Sequence, residues 1–118
     1  MWEVEYTDEF EVWWNTLDEF EQRSVDAGVE ALRDSGPLLG RPYVDTVKSS
    51  WHANMKELRT QHRGRALRTL FAFDPRRSAI LLIGGDKTGD ERFYERMIPF
   101  ADKLYDEHLE TLEEEGLI

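Results

Sequence analysis

The 118-residue sequence predicts an α+β fold in which helices pack on one antiparallel sheet. Three strand candidates follow one another between residues 51 and 85, and segments with helical spacing of apolar residues lie on either side. Strands joined by short turns pair antiparallel, which gives the class. The length and the 40% hydrophobic composition suffice for one core, so we expect a single domain over residues 1–118.

The chain begins with a predicted strand and a short helix. Residues 2–6, WEVEY, alternate apolar and acidic side chains, as a half-buried strand does. Thr7 and Asp8 can then cap a helix, because a short polar side chain satisfies free N–H groups at a helix start. This helix would carry three aromatic residues, Phe10, Trp13 and Trp14.

A second helix is predicted from Asp18 to the sequence DSGP at residues 34–37. Asp18 can cap it, and Glu21, three residues later, completes a capping box. Four residues form one apolar stripe at helical spacing, namely Val25, Gly28, Val29 and Leu32. Gly36 and the following proline end the helix, and we expect the two helices to form a hairpin on the sheet.

The centre of the chain predicts a loop and then three strands. Residues 37–50 have loop character, and strands are predicted at 51–59, 66–73 and 78–85. In the second of these, Leu67, Phe71 and Phe73 share one face, and Arg68, Leu70 and Ala72 share the other. The sequence DPRR at residues 74–77 predicts a tight turn.

A terminal helix is predicted over residues 90–115, DERFYERMIPFADKLYDEHLETLEEE. Pro99 lies inside it and lacks the N–H that a helix interior uses, so we expect a kink or a restart there. The complete predicted order is therefore strand, helix, helix, three strands, helix.

Positive charge is concentrated in the centre of an acidic chain. The formal net charge is -10, yet residues 48–87 carry nine basic and three acidic side chains. Between Met55 and Arg68, the sequence MKELRTQHRGRALR holds five basic residues and one histidine. A local cluster of this kind in an acidic protein indicates a site for an anion, and we interpret the anion as RNA.

Other features limit the classes of protein that fit. The acidic N-terminus does not resemble a signal peptide, and no apolar run approaches the roughly 20 residues of a membrane span. The absence of cysteine excludes thiolate zinc sites and suits the cytoplasm, where we expect the protein. Asp86 and Asp90 are better explained as turn residues than as metal ligands, so no metal or other cofactor is expected.

Four segments resemble the RelE/ParE/HigB superfamily of bacterial toxins, and in particular its HigB-like, phage-related branch. They are MKELR at 55–59, RALRTLFAFD at 65–74, AILLIGGDK at 79–87 and FYERMIPFADKLYDEHL at 93–109. The most specific feature is GGDK at the end of an apolar strand, followed seven residues later by Tyr94. The resemblance implies a RelE-like fold, with an N-terminal helix hairpin and a C-terminal helix packed on an antiparallel sheet.

The resemblance also implies a function and a set of site residues. Such a toxin cuts messenger RNA, usually on the ribosome, needs no metal, and is neutralised by a helix-turn-helix antitoxin encoded beside it. The catalytic positions fall at Arg68, which would contact the scissile phosphate, and at Lys87 and Tyr94. The basic residues of the preceding strand correspond to Lys56 and Arg59.

The residue types suit RNA cleavage without a metal. Arginine pairs with two phosphate oxygens, lysine supplies charge, and histidine or tyrosine can transfer a proton. We therefore expect folding to gather Lys56, Arg68, Lys87 and Tyr94 into a catalytic pocket. The residues expected to bind RNA are Arg59, His62, Arg63 and Arg65.

Simpler interpretations of these residues stay open. Arg68 can be an edge residue whose charge reaches solvent, or can pair with a glutamate on the core side, and His62 can be a bystander in a polar loop. Lys87 can be a solvated lysine in a turn that its neighbouring glycines allow. Arg63 and Arg65 can be loop charges, and Tyr94 can anchor the last helix to the sheet. Two further functions stay open: a ParE-like toxin that inhibits DNA gyrase without cutting RNA, and an inactive phage-related protein that only binds an antitoxin.

Overall fold

The computed structural model describes all 118 residues and contains five strands and three α-helices. The strands are β1 (Val4–Tyr6), β2 (Val44–Thr46), β3 (Lys56–His62), β4 (Arg65–Phe73) and β5 (Ala79–Asp86). The helices are α1 (Asp8–Trp14), α2 (Glu19–Ser35) and α3 (Phe93–Glu114), with a short 3-10 helix at Gly36–Leu38. The predicted α+β class and the order of helices and main strands are confirmed. No helix has both the length and the apolar character that crossing a membrane requires.

The strands form one sheet in the order β1-β5-β4-β3-β2. Strands β2 to β5 pair antiparallel, but β1 runs parallel to β5, which corrects the expectation of an antiparallel sheet throughout. The short turns fix the direction of each strand in the β3–β4–β5 meander. No short turn links β1 to β5, because α1, α2 and three strands separate them along the chain.

Helix boundaries at the N-terminal end follow from capping. Thr7 caps α1 by accepting a hydrogen bond from the Phe10 N–H. Asp18 caps α2, and its predicted capping box with Glu21 is present in both directions. Gly36 follows the last residue of α2 with a φ of 56°, the left-handed region that glycine adopts without strain.

Two apolar cores lie on opposite faces of the sheet. Helices α1 and α2 cover one face, where Val25, Val29 and Leu32 pack against strand residues that include Leu67 and Phe71. Helix α3 covers the other face, packed against Leu70, Ala72, Ile80 and Leu82. The alternation predicted for β4 thus divides its side chains between two cores.

The larger differences from the predicted elements concern β2, β3 and α3. Strand β2 lies inside the predicted loop at 37–50. It was not predicted because three residues are too few to show alternation. Strand β3 starts at Lys56 rather than residue 51, and α3 starts at Phe93 rather than residue 90. Helix α3 also runs through Pro99 without a break, since residues on both sides of it pack on the sheet, among them Ile98 and Ala101.

Two glycines of the GGDK sequence serve packing rather than a turn, which corrects the simpler interpretation above. Gly84 and Gly85 lie within β5, and neither has a positive φ. A Cβ on Gly84 would lie 2.1 Å from Trp13 of α1, and one on Gly85 would lie 2.8 Å from Phe93 of α3. The end of β5 therefore accepts one aromatic ring on each face.

We expect Gly84→Ala to lower the free energy of unfolding by about 1–3 kcal/mol, because Trp13 must move to admit the methyl group. Gly40→Ala is the matched control, since a Cβ added at Gly40 would meet no atom within 4 Å and its φ is not positive. Its effect should stay within about 0.5 kcal/mol. Chemical denaturation measures both values, and equal stability of the two variants would contradict the packing role of Gly84.

Candidate functional site

Two arginines face each other across the middle of the sheet. Arg59 of β3 and Arg68 of β4 are directly opposite in the strand ladder. Their neighbours Leu58 and Leu67 point into the core under α1 and α2, so both arginines project on the α3 side. They line a cleft of about 420 Å³ together with Pro42, Tyr43 and Gln61. We call this the arginine cleft.

Arg68 is buried and incompletely satisfied. Its side chain is only 5% exposed, and one terminal nitrogen donates a hydrogen bond to the Leu67 carbonyl at 3.0 Å. Its Nε lies 3.5 Å from a carboxylate oxygen of Glu57, too long for a good hydrogen bond, and has no hydrogen-bond partner. A buried N–H without a full hydrogen bond costs free energy, and the ion pair with the Glu57 carboxylate offsets part of that cost.

Glu57 and Tyr94 stand beside Arg68. Glu57 of β3 is 8% exposed and accepts a hydrogen bond of 2.5 Å from the Tyr94 hydroxyl at the start of α3. Burial raises the pKa of Tyr94, and the hydrogen bond to the Glu57 carboxylate raises it further, while Arg68 acts in the opposite direction. Tyr94, Glu57 and Arg68 thus form a connected polar group in a largely apolar layer.

Sequence reasoning missed Glu57, although a signal for it exists. Glu57 lies two residues before Arg59 in a strand, and alternation places both on the same face. A carboxylate next to two arginines on one sheet face is a candidate proton acceptor. The signal is weak because the predicted strand at 51–59 has little regular alternation, so its faces could not be assigned.

Lys87 adds a third cation near Tyr94. It follows the last residue of β5, and its backbone N–H donates to the Ala66 carbonyl at 2.9 Å. Its Nζ lies 5.2 Å from the centroid of the Tyr94 ring, within the range of a cation–π contact. Lys87 is therefore placed at the Tyr94 end of the Tyr94, Glu57 and Arg68 group.

Two predicted site residues lie on the other face of the sheet. Lys56 is opposite Phe71, whose ring belongs to the core under α1 and α2. Strand alternation therefore directs Lys56 away from the face that carries Arg68. His62 also lies on the helix-hairpin side, where its Nδ1 is 2.7 Å from the Ser24 hydroxyl of α2.

Arg63 and Arg65 occupy the β3–β4 hairpin, away from the lining of the arginine cleft. Arg63 is at the tip, with a φ of 48°, and its guanidinium lies 5.3 Å from the Phe20 ring centroid. Arg65 forms ion pairs with Glu21 of α2 and with Asp86, the latter at 2.8 Å. Of the eight predicted site residues, the fold brings together Arg59, Arg68, Lys87 and Tyr94.

A second cavity has a different character. It measures about 410 Å³ and is mainly apolar, lined by residues of α1, α2, β1 and β5 that include Phe10, Trp14 and Val29. Its single cation, Arg33, already pairs with Glu30 at 3.2 Å. The arginine cleft is therefore the better candidate for an anionic ligand.

The arginine cleft can bind a phosphate and move a proton with side chains alone. Two guanidinium groups match the oxygens of a phosphodiester, and a neighbouring carboxylate can accept a proton. Nowhere in the chain do three histidine, aspartate or glutamate side chains converge as metal ligands would. The arrangement suits acid–base chemistry at a phosphate.

Comparison with known proteins identifies a matching family and two similar proteins. Residues 12–106 match the family described as phage derived protein Gp49-like (DUF891). A candidate toxin named HigB2 from Mycobacterium tuberculosis H37Rv is 47% identical over 104 residues, which cover 86% of this chain and 52% of the relative. A second candidate toxin of that organism, HigB3, is 49% identical over 94 residues, covering 79% of this chain and 81% of the relative. The chain thus spans about half the length of the first relative and most of the second.

We expect Glu57→Gln to lower the pKa of Tyr94 toward the ordinary tyrosine value of about 10. The substitution removes the negative charge and the carboxylate hydrogen bond that both raise this pKa, whereas burial still contributes. Titration of ring-labelled tyrosines by NMR measures the change. Tyr105, whose pKa is raised first by its own burial, is the internal control. An unchanged Tyr94 pKa would show that the carboxylate does not govern it.

Proposed function

Because the chain belongs to the Gp49-like family and to its HigB-like toxins, we propose that it is the toxin of a type II toxin–antitoxin pair. The proposed unit is one domain spanning residues 1–118 that acts in the cytoplasm. Its partner is an antitoxin encoded beside it, with a helix-turn-helix domain as the resemblance implies. The names of the two relatives, HigB2 and HigB3, support the toxin assignment.

The proposed activity is cleavage of messenger RNA on the ribosome by a metal-independent endoribonuclease. The 2′-oxygen attacks the adjacent phosphorus, the bond from phosphorus to the 5′-oxygen breaks, and the products carry a 2′,3′-cyclic phosphate and a 5′-hydroxyl. The observation that carries this proposal is that Arg68 and Arg59 are directly opposite each other and line one cleft, beside the Glu57 carboxylate.

The side chains divide the three tasks of the reaction. Arg59 and Arg68 hold the phosphate and stabilise the charge that develops on its oxygens. Glu57 accepts the proton of the 2′-hydroxyl, and its hydrogen bond with Tyr94 fixes the carboxylate orientation. Lys87 or Tyr94 supplies a proton to the leaving 5′-oxygen. Lys56 takes no direct part, since it projects on the other face.

This assignment favours a nuclease over a toxin that acts by contact alone. Contact with a partner needs a complementary surface, and nothing in that role requires two arginines side by side in a recessed cleft next to a carboxylate. A gyrase inhibitor of the ParE type would raise the DNA damage response on induction and leave messenger RNA intact. An inactive antitoxin-binding protein would do neither.

We expect Arg68→Ala to reduce RNA cleavage at least a hundredfold, because one lost donor to a developing negative charge costs about that much. Arg68→Lys keeps a positive charge in the buried site and should also cleave poorly, since lysine lacks the planar pair of donors. Messenger RNA cut by the protein on translating ribosomes, with its new 5′ ends mapped and counted, measures the effect.

Arg77→Ala is the matched control for Arg68→Ala. Arg77 lies in the β4–β5 turn, its guanidinium is 5.1 Å from the Trp2 ring centroid, and its loss changes the net charge equally. This variant should retain wild-type cleavage. If folded Arg68→Ala and Arg68→Lys proteins, verified by circular dichroism, cleaved as fast as Arg77→Ala, the catalytic assignment would fail.

The cations of the β3–β4 hairpin are proposed to contact RNA outside the arginine cleft. Arg63→Ala should leave kcat unchanged and lower the slope of log binding constant against log salt by about 0.7, the value for one phosphate contact to a single strand. Fluorescence anisotropy with a labelled RNA oligonucleotide gives the slope. An unchanged slope would remove Arg63 from the RNA-binding surface.

A further inference from the structure

One wall of the arginine cleft is an aromatic ring whose use is unassigned. Tyr43 is 51% exposed, and it lines the cleft with Arg59 and Arg68. Aromatic rings beside phosphate-binding cations provide the stacking surfaces on which proteins bind single-stranded RNA bases. Tyr43 is therefore a candidate for contact with the part of a nucleotide that the arginines do not bind.

The backbone at Tyr43 is held in place. Its N–H donates to the Gly40 carbonyl at 3.1 Å, and its carbonyl accepts a hydrogen bond of 2.7 Å from the Arg59 N–H. The second bond holds the Tyr43 backbone against Arg59 itself, one of the two cleft arginines. The backbone from which the Tyr43 ring projects is thus fixed relative to Arg59. Less conformational entropy is therefore lost when a ligand stacks on the ring.

Gln61 supplies a neutral polar group at the same cleft. It lies two residues after Arg59 on β3, so alternation places both on one sheet face, and it also lines the cleft. Its amide offers both a donor and an acceptor, the pair that the edge of a nucleobase requires. A second phosphate site would instead call for another cation at this position.

Charge at the rim also favours a neutral group here. Asp45 of β2 pairs with Arg41 at 2.6 Å, and its pKa is lowered first by Arg41, with a smaller contribution from Arg59. Its carboxylate therefore stays ionised near the Tyr43 side of the cleft. The Arg41–Asp45 ion pair is neutral as a whole, so it adds no net positive charge for a second phosphate at this side of the cleft.

We propose that Tyr43 and Gln61 form a nucleobase subsite next to the phosphate-binding arginines. A base of the RNA stacks on the Tyr43 ring, its edge bonds to the Gln61 amide, and its own phosphate is held by Arg59 and Arg68. The cleft volume of about 420 Å³ lies within the range of small-molecule sites. The inference rests on the proposed function in one respect, namely that Arg59 and Arg68 bind the phosphate.

The test compares adenosine 3′-monophosphate, uridine 3′-monophosphate and ribose 5-phosphate by isothermal titration calorimetry. The wild-type protein should bind at least one nucleotide about tenfold more tightly than ribose 5-phosphate, as stacking of one base allows. Tyr43→Ala should bring that nucleotide down to the affinity of ribose 5-phosphate. Tyr43→Phe should keep the wild-type preference, because the ring remains.

Trp51→Ala is the matched control, since Trp51 is 66% exposed and does not line the cleft. It should bind all three ligands as the wild type does. Arg59→Ala should weaken all three ligands equally. Equal binding of nucleotides and ribose 5-phosphate by the wild type, or an unaffected Tyr43→Ala variant, would overturn the subsite while the phosphate site stands. If none of the three bound to the wild type, the phosphate site and the proposed function would fail together.

Discussion

The register of the β3–β4 ladder places two positive charges directly opposite each other, and the candidate site depends on it. Like charges in that position are unfavourable, so Arg59 and Arg68 need a compensating negative group. Glu57 provides part of that compensation, although its distance of 3.5 Å from the Arg68 Nε leaves that one nitrogen without a hydrogen bond. The fold thus tolerates the pair with Glu57 as its neighbouring negative group.

The fold keeps that register fixed by covering both faces of the sheet. A shift of one residue in β4 would exchange Leu67 and Phe71 with Arg68 and Leu70, placing the arginine in the core under α1 and α2. The same two-sided burial explains the glycines at the end of β5. Trp13 approaches from one face and Phe93 from the other, and Phe93 begins the helix that presents Tyr94 to Glu57. The packing of Phe93 at Gly85 therefore helps to position the Tyr94 hydroxyl at Glu57.

Sequence patterns correctly predicted the features that depend on the spacing of nearby residues, such as strand faces and helix starts. Alternation in β4 assigned Arg68 and Leu70 to one face correctly, and capping residues located the starts of α1 and α2. The same reasoning could not place Lys56 or find Glu57, because β3 has no regular apolar alternation before the pairing with β4 is known. Strand β2 and Tyr43 fall in a segment that was predicted as a loop. Their positions are set by pairing with β3, which local sequence patterns do not report. Likewise, the pairing of Arg65 with Glu21 joins residues 44 positions apart, beyond the reach of any local pattern.

The central claim is that Arg68 binds the phosphate of an RNA in the cleft that it lines with Arg59. Side-chain Nε–H signals of arginine, followed by NMR during titration with an RNA oligonucleotide whose 2′-hydroxyls are replaced by hydrogen, test it directly. We expect the Arg68 Nε–H signal to shift on titration, together with the signal of Arg59. Shifts confined to exposed arginines such as Arg63 and Arg77, with the Arg68 signal unchanged, would contradict it.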